Sequence, residues 1–250
     1  MEDPVIYCAG TTAAARYAAI ALGERGFSVT YEPCSDAQYV LLDVPSLGQN
    51  DQLRGGMPLP ELLERIPDKA ILLGGNLDHP LLSEYRKIDL LKDETYLQEN
   101  ARITAYCALQ IISEALAVTI EEAKILVIGW GRIGKILSSL LIRLGADVTI
   151  ASGDARKIAS LKALGAAAID TGSIHPGEFT AIINTAPAHI LSAEALKNCP
   201  SAAKIDLASV KGLGGTDVIW ARGLPGIHAP ESSGKLIARC VASRIKEALL

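Results

Sequence analysis

Apolar residues recur along the chain in two alternating patterns. Short continuous runs give way to stretches in which apolar positions return every three to four residues, the spacings of buried strands and amphipathic helices. The opening predicts a strand over 5–8, a turn at Gly10-Thr11-Thr12, an alanine-rich helix over 13–25 ended by Gly26, and a strand over 27–31. Strands over 39–44 and 70–73 then alternate with helical stretches over 61–66 and 81–86. Residues 45–60 carry Gly and Pro without periodicity and predict a loop.

From about 94 to 118 the pattern is helical, with Leu97, Ala101, Thr104, Ala108, Ile111, Ile112 and Ala115 on one stripe. A helix of this length predicts a crossing between layers or domains. A second unit follows, with strands over 125–128, 147–151, 181–184 and 203–207 and helices over 133–144, 155–164 and 193–197. A last helix runs from about 232 to 249.

Strands that alternate with helices predict parallel sheets covered on both faces. The expected fold class is α/β, with two doubly wound, Rossmann-like parallel-sheet domains and a cleft between them. Residues 1–95 would form a flavodoxin-like α/β domain, joined by the C-terminal helix at about 232–250. Residues 96–231 would form a dinucleotide-binding domain that takes in the long linking helix.

Composition narrows the function classes. Of 250 residues, 49% are hydrophobic, enough for real cores. A net charge of −4 and 4% aromatics argue against nucleic acid, which needs a basic footprint or an aromatic stacking platform. No apolar stretch has the length of a membrane span, and the acidic N-terminus lacks the basic start of a signal peptide. Cys8, Cys34, Cys107, Cys199 and Cys240 are scattered and read as reduced thiols of a cytoplasmic protein. His79, His175, His189 and His228 show no metal spacing, so no metal site is assigned.

Gly129-Trp130-Gly131-Arg132-Ile133-Gly134 stands between an apolar strand and a helix, the setting of a dinucleotide fingerprint. The first glycine allows a tight turn, the second lets backbone approach a diphosphate, and the third lets helix and strand pack closely. The helix N-terminus offers its N–H groups to the phosphates. At the end of the following strand, where an NAD site carries an acid for the ribose 2′-hydroxyl, stands Ser152, followed by Arg156 and Lys157. This predicts NADP, with NAD as the alternative if Asp154 is the ribose ligand.

Further on, Asn184-Thr185-Ala186-Pro187 and Ile205-Asp206-Leu207-Ala208-Ser209 end strands in polar and small residues, at the sheet edge where ligands sit. Asp206 and Asp217 are candidates to orient cofactor or partner groups, and Asp217 equally fits a turn or helix cap. His228 is the acid/base candidate, because an imidazole titrates near neutrality.

The ordered series VIGWGRIG (127–134), INTAP (183–187), IDLAS (205–209), GGTD (214–217) and GLPGIHAP (223–230) resembles the dipicolinate synthase dehydrogenase-subunit family. The likeness covers roughly the C-terminal 60% of the chain, including the long helix. It implies a two-domain architecture similar to the D-2-hydroxyacid dehydrogenases, and NADP-dependent oxidation of a dihydrodipicolinate-pathway intermediate to pyridine-2,6-dicarboxylate. It also implies a small dicarboxylate substrate, the flavoprotein-like second subunit of dipicolinate synthase as partner, and the mother-cell cytoplasm as the setting. The long helix is also a candidate homodimer surface.

Carried over residue by residue, the fingerprint glycines with Thr185, Pro187, Ala208 and Ser209 become cofactor-side positions, and Ala186 falls in the same turn. Asn100, Thr104, the turn of Gly214, Gly215, Thr216 and Asp217, and Pro225, Gly226 and Pro230 become substrate-side positions. Two family positions differ here. Tyr106 stands where the family helix has a glutamate, and Val210 where it has an arginine after LAS. Lys211, the next cation, is the replacement candidate. Two alternatives stay open: a 2-hydroxyacid-type dehydrogenase on the same scaffold, and a non-catalytic nucleotide-binding subunit.

Overall fold

In a computed structural model, residues 4–48 and 52–248 are described. The chain divides into two compact units, residues 1–103 with 225–250, and 104–224.

The first unit opens with β1 (Val5–Cys8), α1 (Ala13–Gly23), β2 (Ser28–Thr30), β3 (Tyr39–Leu41), α2 (Leu59–Leu63), β4 (Ile71–Gly74) and β5 (Lys87–Asp89). Its five strands are all parallel in the order β2-β1-β3-β4-β5, the flavodoxin-like winding. The predicted helix over 81–86 is corrected. Pro80–Leu82 makes only a 3-10 turn, and the chain then enters β5, which pairs with β4. Pro80 sets the first helical turn, but only Leu82 of that turn is buried, too little apolar surface to carry a longer helix. In the loop over 45–60, residues 49–51 lie outside the described residues, and α2 begins at Leu59.

The alanine richness of α1 has a packing cause. Ala14, Ala15, Ala18 and Ala19 are buried, and α1 packs along the last helix, α8 (Pro230–Ala248). A Cβ on Gly234 of α8 would stand 2.5 Å from Tyr17 Cβ and 2.6 Å from the Ala14 carbonyl oxygen. Small residues on both helices permit that approach.

The long helix α3 (Glu94–Ala115) joins the two units, and the division falls within it rather than at 95/96. Its N-terminal end is tied to α8, since Arg244 Nε donates to Asp93, just before the helix, at 2.9 Å and Arg239 lies 3.5 Å from Glu99. The segment from Pro225 onward accordingly belongs with the first unit, earlier than the expected 232. Residues 224–228 form the short helix α7 (Leu224–His228).

The second unit comprises β6 (Lys124–Ile128), α4 (Arg132–Arg143), β7 (Asp147–Ser152), α5 (Ala155–Ala163), β8 (Ala167–Asp170), β9 (Ala181–Asn184), α6 (Ala193–Leu196), β10 (Ala203–Asp206) and β11 (Ile219–Trp220). The periodicity missed β8 and β11, which are short edge strands. All six strands are parallel in the order β11-β10-β9-β6-β7-β8. Numbered from β6, this is the 3-2-1-4-5-6 order of dinucleotide-binding sheets. Leu126, Ile128, Ile182 and Leu213 fill its core. Burying such a side chain contributes about 1.5–3 kcal/mol.

Candidate dinucleotide and substrate site

In a doubly wound sheet the strand order reverses at one point, and ligands bind outside the carboxyl ends there. In the second unit that point lies between β6 and β9. The fingerprint turn follows β6, and the Thr185 turn follows β9.

Each fingerprint glycine has a separate geometric reason. Gly129 has φ +101°, and a Cβ on it would approach Thr185 Oγ1 to 2.6 Å. A Cβ on Gly134 would collide with the Gly129 carbonyl oxygen, so helix and turn meet only because it is glycine. Gly131, at the α4 N-cap, has nothing within 4 Å of a built Cβ. Open space at the cap and no side chain capping α4 among the described residues fit an incoming diphosphate. Trp130 is half-buried, Arg132 is exposed on the first turn of α4, and Ile133 is half-buried behind it.

The equivalent point in the first unit is closed. There the turn after β1 carries Thr11 and Thr12, whose N–H groups donate to the buried Asp43 carboxylate at 3.1 and 3.0 Å. Thr12 in turn caps α1 by accepting from the Ala15 N–H at 3.2 Å. A carboxylate of the chain itself occupies the place where a phosphate would be held. This contrast singles out the second unit. Composition did not reveal it, though a Thr-Thr pair after a strand and an Asp ending a later one were the available signals.

At the 2′ position, β7 ends at Ser152, which is buried and whose Oγ accepts from the Asp154 N–H at 3.2 Å. Asp154 does not continue the strand. It caps α5 by accepting from the N–H groups of Arg156 (2.9 Å) and Lys157 (3.4 Å). The Arg156 N–H, with smaller contributions from Lys157 and both side-chain charges, holds the Asp154 carboxyl below its ordinary range. The Arg156 side chain is 95% exposed and that of Lys157 50%. Asp170, at the end of the unforeseen β8, lies beside Ser152 in the sheet, and its carboxylate accepts from the Gly172 N–H at 2.8 Å.

On the β9–β10 side, Thr185 Oγ1 donates to the Ile128 carbonyl at 2.9 Å, joining its turn to the fingerprint. Ala186 is half-buried and Pro187 exposed; Ala208 is buried and Ser209 exposed. Lys211 is partly buried, and its Nζ donates to the Gly215 carbonyl at 3.1 Å, across the turn of Gly214, Gly215 and Thr216. Asp217 is engaged elsewhere. Lys204 Nζ, on a side chain 2% exposed, donates to it at 2.6 Å, so Asp217 neutralises a buried cation. That hydrogen bond lowers the Asp217 pKa.

Asn100 and Thr104 stand one helical turn apart on α3, the first half-buried and the second buried. Pro225, Gly226 and His228 lie on α7 in the first unit, with the His228 side chain exposed. The five cysteines are free thiols, and burial pushes Cys8 up to about 11, which makes it a poor nucleophile. Among the described residues no group of three His, Cys, Asp or Glu side chains is arranged to hold a metal, and no helix is long and apolar enough to cross a membrane.

No family model matches the chain. The A subunit of dipicolinate synthase from Bacillus subtilis (strain 168) is 26% identical over 203 residues, covering 74% of this chain and 68% of that protein. Among solved structures, the dipicolinate synthase A chain from Bacillus subtilis superposes with a TM-score of 0.82 at 20% identity, covering 99% of this chain and 97% of that one. Its counterpart from Bacillus halodurans gives 0.81 at 19% identity, with 97% and 98% covered. A D-lactate dehydrogenase from Treponema pallidum shares the fold at a TM-score of 0.61 and 12% identity, over 98% and 97% of the two chains. The chain is thus similar, in sequence and in fold, to the A subunit of dipicolinate synthase, and it shares its fold of two parallel-sheet α/β units with those solved structures.

Proposed function

We propose that the chain is an NADP-dependent dehydrogenase of the dipicolinate synthase type. One observation carries the reading: three glycines, two of them required by backbone or side-chain contacts and the third facing open space, form the turn at the switch point of a 3-2-1-4-5-6 sheet. The diphosphate would rest on the backbone of Gly129, Gly131 and the first turn of α4. Ser152 in place of an acid, with Arg156 and Lys157 exposed beside it, favours a 2′-phosphate. A charged hydrogen bond contributes about 1.5–3 kcal/mol, roughly ten- to a hundredfold in affinity. The bound cofactor would supply hydride-accepting chemistry; the chain's own task is orientation, charge placement and proton handling.

The substrate class proposed is a small cyclic dicarboxylate of the dihydrodipicolinate type. Lys211 would face a carboxylate from beside the 214–217 turn, and His228 would accept the proton lost on aromatisation. Asn100, Thr104, Pro225 and Gly226 remain substrate-side assignments from the resemblance. A flavoprotein-like second subunit is the proposed partner. The test is titration of the purified chain with NADPH and NADH, followed by turnover of the aspartate-semialdehyde/pyruvate condensation product in the presence and absence of that partner. Tighter binding of NADPH and formation of pyridine-2,6-dicarboxylate are expected. Tighter NADH binding overturns the NADP assignment, and uptake of neither nucleotide overturns the dehydrogenase reading.

A second reading, a nucleotide-binding subunit without catalysis, is favoured by Tyr106 and Val210 at the two departures from the family pattern. Nucleotide uptake with no hydride transfer to or from any dicarboxylate tested would select it.

A further inference from the structure

The sheet register sets Ile128, Asn184 and Asp206 side by side at the carboxyl edge of β6, β9 and β10. Asn184 and Asp206 are both 0% exposed, and neither lies where it could touch solvent or a bound molecule directly. Their hydrogen bonds are complete. Asp206 Oδ1 accepts from Asn184 Nδ2 and from the Ala208 N–H, both at 3.0 Å. Its Oδ2 accepts from the N–H groups of Gly212 at 2.7 Å and Leu213 at 2.9 Å. Asn184 closes the neighbouring turn, donating to the Ala186 carbonyl at 3.0 Å and accepting from the Ala186 N–H at 3.1 Å.

The loop over 208–213 is therefore wrapped around one carboxylate, and the turn over 184–186 around one carboxamide, with a single hydrogen bond joining them. Gly212 is part of the device, because a Cβ there would stand 2.5 Å from Asn184 Nδ2 and collide with the Ala188 carbonyl oxygen. Trp220 Nε1 donates to the Ala208 carbonyl at 3.1 Å and fastens the outer side of the loop. The Thr185 hydroxyl, on the other side, reaches the fingerprint turn. A buried carboxylate with four donors is costly to disturb, since any lost partner leaves a desolvated group unpaired.

We infer that Asp206, through Asn184, is a positioning residue that holds Thr185, Ala208, Ser209 and Lys211 in fixed relation to the dinucleotide turn. The inference rests on the proposed nucleotide-binding role and deepens it. Affinity for the diphosphate depends on the glycine turn, while the placement of the second mononucleotide half depends on the Asp206 clamp.

The test compares wild type with Asp206→Asn in the full chain. An asparagine must turn its NH2 toward N–H donors, so the loop opens without loss of volume. Amide exchange at Gly212 and Leu213 is expected to quicken by more than about tenfold. The NADPH dissociation constant should stay within about threefold, while turnover falls by about 10²-fold, the cost of a displacement near 1 Å. The emission of the bound reduced nicotinamide should move toward that of free nucleotide. Equal losses in affinity and turnover, or unchanged turnover and emission, overturn the inference. If wild type itself takes up no nucleotide, the proposed function fails, and amide exchange still reads the clamp separately. Should Asp206→Asn not fold, Asn184→Ala removes the joining hydrogen bond and the two bonds that close the Ala186 turn, but keeps the three backbone N–H bonds to Asp206. The same split between affinity and turnover, about tenfold in turnover, is then expected.

Discussion

Gly131 and Gly134, one helical turn apart, show how a single motif combines fold and ligand at the level of individual residues. A methyl on Gly134 meets the backbone of Gly129, which cannot move without moving the end of β6. A methyl on Gly131 meets nothing of the protein. Gly134→Ala is therefore expected to lower the melting temperature and to abolish nucleotide uptake together. Gly131→Ala should leave the melting curve unchanged while weakening NADPH binding by at least about tenfold, because only the incoming diphosphate needs that space. Parallel thermal melts and titrations check the contrast. His228, exposed on α7, carries the proposed proton-handling role; His228→Ala is expected to lower turnover by about 10²-fold, and steady-state kinetics read the outcome.

Between strands and loops, the pair of Lys204 on β10 and Asp217 after the 214–216 turn illustrates a charge balance that sequence spacing does not announce. A lysine on a central strand is buried up to its ammonium group, and the carboxylate that compensates it comes from a loop that is 59% exposed at that side chain. Removing the acid leaves a buried cation without this partner. Asp217→Asn should cost about 1–2 kcal/mol in urea unfolding, less than the loss at a fully buried pair because water reaches the acid. The sign of the pH dependence follows from the lowered Asp217 pKa, caused first by the Lys204 hydrogen bond. A carboxyl held below its unfolded value, about 3.9, stabilises the fold above that pH and loses the contribution as pH falls through the folded value. Wild type should therefore lose stability on acidification below about pH 4 more steeply than Asp217→Asn, as acid titration followed by circular dichroism would measure.

Across the whole chain, the two units have the same kind of sheet but opposite preparation for an anion. The first closes its switch point with Asp43, and the second leaves Gly131 open. Nucleotide should accordingly protect backbone amides of β6, β7 and β9 from exchange, while those of β1 and β3 gain least. At a hundredfold excess over the dissociation constant the added stability is about 2.7 kcal/mol. Uniform protection of both sheets, read by mass spectrometry of peptides, would contradict a single nucleotide site in the second unit. The sequence by itself determined the alternation of strand and helix, the fingerprint and its setting, the free cysteines and the resemblance in the C-terminal part, because periodicity and glycine spacing are local properties. It did not reveal β5, β8 and β11, whose two to four residues gain their strand character only by pairing with a neighbour already in place. Nor could it assign Asp43, Asp206 and Asp217, three similar acids at or near strand ends. One closes a turn ahead of a helix, one gathers two loops and one neutralises a lysine, because the partners of a buried carboxylate are chosen by which distant strand ends the winding brings beside it.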